Sequence, residues 1–323
     1  MKFNIKNALN VRYIKLHFTL LLLKDCTLPV NKVSAIRGGI GEMLLRANCI
    51  RNRECEICDF QNECIVQRTM YSKFDYKPDF ITTGDSIGYV VECEDYKKAF
   101  KAGDTLEFNL MLFGKTIVYF NQYLQALFAL GQNGIGRDYA KFLIVQVKNT
   151  RGESILKDSN IYMEYYQVET LQEYVIDRMR QIRQHGYPNK MVFCTPLTQK
   201  FQGEFLKEFC MEAITKSIQR RLYMLNCFEN NDIQEFYYEE LAIPSIVQQS
   251  VREVKVKRYS SRQDSKMCLK GIKGEILFEK LPEELLELYL VGELIHIGKN
   301  TSFGFGRYVM RSTEEEIGSK KSE

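Results

Sequence analysis

Histidine is scarce in this chain: 323 residues hold three, His17, His185 and His296. Proton transfer by imidazole near neutral pH therefore has three places at most to occur. Long apolar runs are also missing. The early run from Ile14 to Leu23 carries Lys15 and His17 and is too short to span a bilayer, so it reads as a buried strand rather than a membrane segment. No secretory signal pattern is evident, and the ten cysteines are accordingly expected as reduced thiols in a cytoplasmic compartment. The order strand, glycines, helix that marks a dinucleotide site is absent too, which disfavours a nucleotide-cofactor enzyme.

What is present fits a protein of about two domains, with 45% hydrophobic and 27% charged residues. A glycine-rich stretch, His296-Ile297-Gly298-Lys299-Asn300-Thr301-Ser302-Phe303-Gly304-Phe305-Gly306-Arg307, has a weaker copy in Gly131-Gln132-Asn133-Gly134-Ile135-Gly136-Arg137. Each follows an apolar segment of helical spacing and runs into a strand-like one, so the chain reads as two copies of one plan. Successive exposed N–H groups in such a loop can cradle phosphate oxygens, although a glycine-rich turn can also be only a turn.

The coarse order of elements repeats. Strand 11–23, helix 34–48, strands 86–94 and 104–113, helix 116–130 and strand 138–147 are followed by strand 190–197, helix 203–226, strands 251–259 and 272–279, helix 283–293 and strand 305–311. Both halves read βαββαβ, predicting an α+β protein of two tandem ferredoxin-like domains. The expected divisions are an N-terminal domain 1–150 with a cysteine-rich insertion 49–75, a linker with a helix 151–188, a C-terminal domain 189–311 and a tail 312–323. Helix 34–48 contains Gly38, Gly39 and Gly41, each costing roughly 0.8–1 kcal/mol against alanine. Either the helix starts near Gly41, or another backbone or a phosphate lies against this turn beside Arg37.

Charge is uneven. Between Ser250 and Lys273 eight Lys/Arg stand against two acids, whereas from Gly274 onward six basic residues face ten acidic ones. Alternation of Lys255, Lys257 and Tyr259 with Val254, Val256 and Arg258 would place basic groups along both sides of a strand, as a nucleic-acid ribbon requires. A solvated face is the other reading. The cysteines Cys49, Cys55, Cys58 and Cys64 follow C-x5-C-x2-C-x5-C among polar neighbours that supply little core. Structural zinc on these four is the expectation, with an iron–sulfur cluster or incidental thiols as the alternatives, and a closed four-thiolate site would leave no position for catalysis. The other six cysteines read as small buried hydrophobes.

Together, Lys257-Arg258-Tyr259-Ser260-Ser261-Arg262-Gln263, Gly271-Ile272-Lys273-Gly274 and the stretch Leu294 to Gly306 resemble the C-terminal part of the CRISPR-associated RAMP endoribonucleases. Arg37-Gly38-Gly39-Ile40-Gly41, the cysteine insertion, Leu112-Phe113-Gly114, Gly134-Ile135-Gly136-Arg137, Phe193-Cys194-Thr195-Pro196-Leu197 and Arg220-Arg221-Leu222 extend the resemblance over most of the chain. It implies metal-independent cleavage within the CRISPR repeat by a ribose 2′-hydroxyl, leaving a 2′,3′-cyclic phosphate and a 5′-hydroxyl. Retention of the guide RNA, with other CRISPR effector subunits as further partners and no membrane, is also implied.

Members of that family place a histidine in or near the first helix, but residues 33–48 contain none here and Arg37 is the nearest ionisable candidate. The expected catalytic set is His296, Tyr259, Lys299 and Arg37, with His296 also readable as a structural histidine. The expected RNA contacts are Lys255, Lys257, Arg258, Arg262, Gly298, Ser302, Gly304, Gly306 and Arg307. His17 is expected in the core and His185 in a polar linker. The competing reading is a scaffold subunit that binds guide RNA without cutting; a zinc-stapled adaptor would leave the basic ribbon unexplained.

Overall fold

The computed structural model describes residues 5–75, 78, 86–231, 243–260 and 265–313. The chain is a mixed α/β protein in two compact units. One comprises Arg12–Val168 with Arg258–Met267; the other comprises Met1–Val11, Glu169–Lys257 and Cys268–Glu323.

The first unit, called N-terminal below, is built on β1 (Arg12–Leu22), α1 (Val33–Asn48), α2 (Ile65–Met70), β2 (Tyr89–Glu92), β3 (Thr105–Phe113), α3 (Phe120–Asn133), β4 (Phe142–Lys148), β5 (Ser154–Lys157) and β6 (Asn160–Ile161). Its strands lie in the order β2-β3-β1-β4-β5-β6, with β1 paired antiparallel to both β3 and β4. Period-two alternation explains β1: Leu16, Phe18, Leu20 and Leu22 are buried on one face, and Phe18 stacks on Phe108 at 4.9 Å.

Lys15, His17 and Thr19 occupy the opposite, partly exposed face. The expectation of a core histidine is therefore corrected. The His17 side chain is 40% exposed, its Nδ1 stands 2.9 Å from Asn109 Oδ1, and its Nε2 is 3.5 Å from Glu107. A strand covered on one side only has a wet side, and His17 falls on it.

Helix α1 runs unbroken through its three glycines, so the later start near Gly41 is not what occurs. Its buried residues Val33, Ile36, Ile40, Met43 and Leu44 follow helical spacing. Gly39 has a packing reason: a Cβ there would lie 2.5 Å from Leu130 Cδ2 on α3. Gly38 is exposed, with nothing within 4 Å of the same position.

The other unit, called C-terminal, contains α4 (Leu171–His185), β7 (Lys190–Phe193), α5 (Met211–Glu229), β8 (Ile246–Ser260) as far as Lys257, β9 (Ser265–Phe278) from Cys268 onward, α6 (Glu283–Ile295) and β10 (Tyr308–Arg311). Strand order is β8-β9-β7-β10. Thr170 and Glu173 form a reciprocal cap that starts α4. Arg178 of α4 then holds Glu293 of α6 through two contacts of 2.8 and 3.1 Å, in a buried setting that Tyr174 completes at 3.2 Å. In α6, Gly292 leaves room for Tyr308, whose hydroxyl donates to Tyr289 O at 2.6 Å.

Replacing the two neighbouring α1 glycines should have opposite effects. Gly38→Ala is expected to raise the urea midpoint, since the helix gains roughly 0.8–1 kcal/mol and nothing is displaced. Gly39→Val is expected to lower it, the unfolding free energy falling by about 1–3 kcal/mol through overpacking against Leu130. Equal shifts of the same sign would show that the α1–α3 approach does not depend on the missing side chain.

Candidate nucleic-acid interface

Helix α6 ends in the glycine-rich loop, and the destination of each N–H there decides whether a phosphate could be cradled. Ile297 N–H donates to Gly306 O, Gly298 to Ser217 Oγ and Lys299 to Thr198 O. Phe303 donates to Asn300 O, Gly304 to Thr301 O, Gly306 to Pro196 O and Arg307 to Thr195 Oγ1. Phe305 adds a longer bond to Asn300 O. The N–H donors from Phe303 to Arg307, expected to face phosphate, are thus spent within the protein, which corrects the cradle expectation for them.

The glycines serve the same internal purpose. At Gly306, φ is +73° and a Cβ would lie 1.8 Å from Ile297 O; at Gly298, φ is +78° and a Cβ would lie 2.6 Å from Thr198 O. Gly304 adopts φ +75°, and both it and Ser302 are buried. In the earlier loop, a Cβ on Gly134 would lie 2.4 Å from the Tyr139 carbonyl. Both loops are glycine-rich because backbone meets backbone.

His296 is wholly buried, and its Nδ1 lies 3.0 Å from Phe305 O. That geometry braces the loop and gives a substrate no access to the ring. Lys299 is exposed and Arg307 half-exposed, so what the loop presents outward is side-chain charge.

The basic strand behaves as its alternation predicts. Along β8, Lys255 and Lys257 are exposed while Val254, Val256 and Arg258 are partly covered, and β8 is an edge strand. Arg252 and Lys270 are exposed as well. Tyr259 lies in the strand, but its side chain, like Arg262, falls outside the described residues.

In the N-terminal unit, Arg258 and Arg37 come within electrostatic reach of each other. Burial, and then the neighbouring positive charge of Arg37, lower the affinity of Arg258 for its proton. The Arg258 Nη2 also stands 3.2 Å from Met267 Sδ. Arg37 projects from α1, donates to Ser86 Oγ at 3.2 Å and lies over the Tyr89 ring at 5.9 Å. Ser86 in turn donates to Met70 O at 2.6 Å, at the end of α2. Arg37 held on the Ser86 hydroxyl, with Arg258 near enough to feel its charge, offers guanidinium donors of the kind that bind phosphate oxygens. Sequence reasoning named both arginines separately but missed Ser86 and Tyr89, which carry no motif and are brought there by β2.

Cys49, Cys55, Cys58 and Cys64 are free thiols that line one recess, yet among the described residues no three His, Cys, Asp or Glu stand close enough to hold an ion. Of the other six cysteines only Cys26 is buried, and Cys268 is exposed, so the expectation of six buried thiols is corrected.

The two roles assigned around the glycine-rich loop separate experimentally. His296→Ala should lower the unfolding free energy by about 1–3 kcal/mol, because it orphans the buried Phe305 carbonyl. The folded fraction should bind polyanions like wild type. Lys299→Ala should do the reverse, leaving the urea midpoint within about 0.5 kcal/mol while weakening polyanion binding. A His296→Ala protein of unchanged midpoint would remove the brace.

Two family models match the chain. One, described as the AF_1859 N-terminal domain, covers residues 9–173, just over half of the chain; the other, CRISPR-associated endoribonuclease Cas6, covers residues 191–308. An uncharacterized protein of Archaeoglobus fulgidus is 22% identical over 290 residues, spanning 88% of this chain and 93% of its own. Among solved structures, a partial Cas6-RT-Cas1–Cas2 complex is similar at a TM-score of 0.57 and 12% identity, over 93% of this chain and 46% of the other. This chain thus spans less than half the length of that relative. It matches a Cas6 product complex at a TM-score of 0.51 and 13% identity, over 92% and 98% of the two chains. At such identities the structural likeness establishes a shared fold. The chain belongs to the family that carries the AF_1859 N-terminal domain, and the region that follows, residues 191–308, matches the Cas6 family of CRISPR-associated RAMP endoribonucleases.

Proposed function

We propose that this chain cleaves precursor CRISPR RNA within the repeat and keeps the processed guide RNA, using two ferredoxin-like RAMP domains. The observation that carries the reading is the arginine pair, Arg37 and Arg258, together with the exposed Lys255 and Lys257 on an edge strand. The strand orders β2-β3-β1-β4 and β8-β9-β7-β10 support the domain assignment, each being the arrangement expected of a βαββαβ chain closed as one antiparallel sheet.

The reaction fits these residues. A ribose 2′-hydroxyl attacks the adjacent phosphorus, the P–O5′ bond breaks, and the products are a 2′,3′-cyclic phosphate and a 5′-hydroxyl. Charge grows on the non-bridging oxygens as the phosphorane forms. Arg37 and Arg258 would stabilise that charge, while Ser86 holds one guanidinium in place. Arginine stays protonated and cannot serve as the base. Proton traffic would fall to Tyr259, to Lys299 or to water, and no metal is required by the chemistry.

A second reading has an observation of its own. His296 is buried and His17 is engaged with Asn109 and Glu107, which favours a scaffold that binds guide RNA without cutting it. No helix among the described residues is long and apolar enough to cross a membrane.

Single-turnover cleavage of end-labelled repeat RNA in magnesium-free buffer distinguishes the readings. Wild type should yield a cyclic-phosphate end, and a 2′-deoxy substitution at the cut nucleotide should stop cleavage but not binding. Arg37→Ala and Arg258→Ala should each slow the reaction by roughly 10²–10³-fold. Lys255→Ala and Lys257→Ala should instead weaken binding and reduce its salt slope by about 0.7 per lost phosphate contact. Intact RNA after prolonged incubation with folded, RNA-bound wild type would establish the scaffold.

A further inference from the structure

The segment from Cys49 to Cys64 has no core of its own. Of its sixteen residues, the four cysteines are the only partly buried ones. Even its large apolar side chains face solvent: Ile50, Ile57 and Phe60 are 71%, 65% and 55% exposed. An ordinary loop shelters its apolar residues and lets small polar ones face water. Here the pattern is inverted, and the cysteines are the more sheltered residues, although Ile50 and Phe60 border the same recess.

All four cysteines line a single recess, which Leu45 and Val66 also border. The backbone is bent to allow this. Asn52 and Arg53 both adopt left-handed φ values, +48° and +70°, and Arg53 N–H points at Cys49 Sγ at 3.2 Å. Cys58 N–H closes a turn on Cys55 O, so the two thiols of the Cys-x-x-Cys pair are held in one tight turn.

We propose that Cys49, Cys55, Cys58 and Cys64 bind one zinc ion as four thiolates, and that the ion supplies the cohesion this segment lacks. Zinc takes four sulfur ligands tetrahedrally, and binding would release the thiol protons to solvent. Because no three of these side chains yet stand at coordinating distance, the ion would draw the sulfurs together and tighten the loop. The site is closed and has no catalytic position. Its consequence runs outward through α2, which begins directly after Cys64 and ends at Met70, the acceptor for Ser86. That last link to Arg37 rests on the RNA-processing reading; the metal site itself does not.

The test uses the intact chain. Elemental analysis should find one zinc per chain, and cobalt(II) replacement should give the intense near-ultraviolet sulfur-to-cobalt bands of a tetrahedral thiolate site. Hydrogen exchange across residues 49–64 should slow on zinc addition. Cys58→Ser should lose stoichiometric metal, whereas Cys268→Ser, at an exposed thiol outside the recess, should keep it. If Cys58→Ser fails to fold, wild-type metal content and the cobalt spectrum still decide. Protein that takes up neither zinc nor cobalt overturns the proposal, as does iron accompanied by acid-labile sulfide. Failure of RNA cleavage by a zinc-loaded chain would instead count against the function and leave the metal site standing.

Discussion

Placing two positive charges side by side in partly desolvated surroundings is unfavourable unless an anion completes the arrangement. Arg37 is fixed by the rigid helix α1 and by Ser86, and Arg258 is partly covered and feels the charge of Arg37. On the proposed reading, a phosphodiester between the two groups would add charge-assisted contacts to both.

Glycine illustrates how far sequence can reach. A glycine signals that φ is positive or that something approaches closely, but not what approaches. The stretch from His296 to Arg307 had the composition of a phosphate cradle, and the same composition serves a loop in which Gly306 accommodates Ile297 O and Gly298 accommodates Thr198 O. The distinction lies in acceptors such as Pro196 O and Thr198 O, about a hundred residues away in the chain. No local pattern could have supplied them. For the same reason Gly39 looked like a defect in α1 until Leu130 was seen against it.

Periodic features were legible. Helix 34–48 was found at Val33–Asn48 and helix 283–293 at Glu283–Ile295, because apolar spacing reports a buried face wherever that face packs. The alternation of Lys255 and Lys257 with Val254 and Val256 survived unchanged. Boundaries set by long-range pairing were less legible: strand 251–259 proved to run from Ile246 to Ser260, and helix 203–226 starts only at Met211. His17 was misjudged because an apolar run suggests burial on both faces, while β1 is covered on one and carries Lys15 and Thr19 beside the histidine on the other.

The division between arginines and lysines has a kinetic meaning. Contacts made equally to RNA before and after cleavage hold the molecule without accelerating the reaction. Exposed lysines on an edge strand are of that kind, since a phosphate in substrate and a phosphate in product carry much the same charge toward them. A protein that retains its guide RNA can depend on such contacts heavily. Acceleration must come from groups whose interaction strengthens as charge builds on the phosphorane, and a rigid guanidinium pair is suited to that because it need not reorganise. General acid–base help from an imidazole would ordinarily add about 10²–10⁴-fold. With His296 enclosed, the proposed reaction would draw its rate chiefly from orientation and charge, with proton traffic left to Tyr259, Lys299 or water.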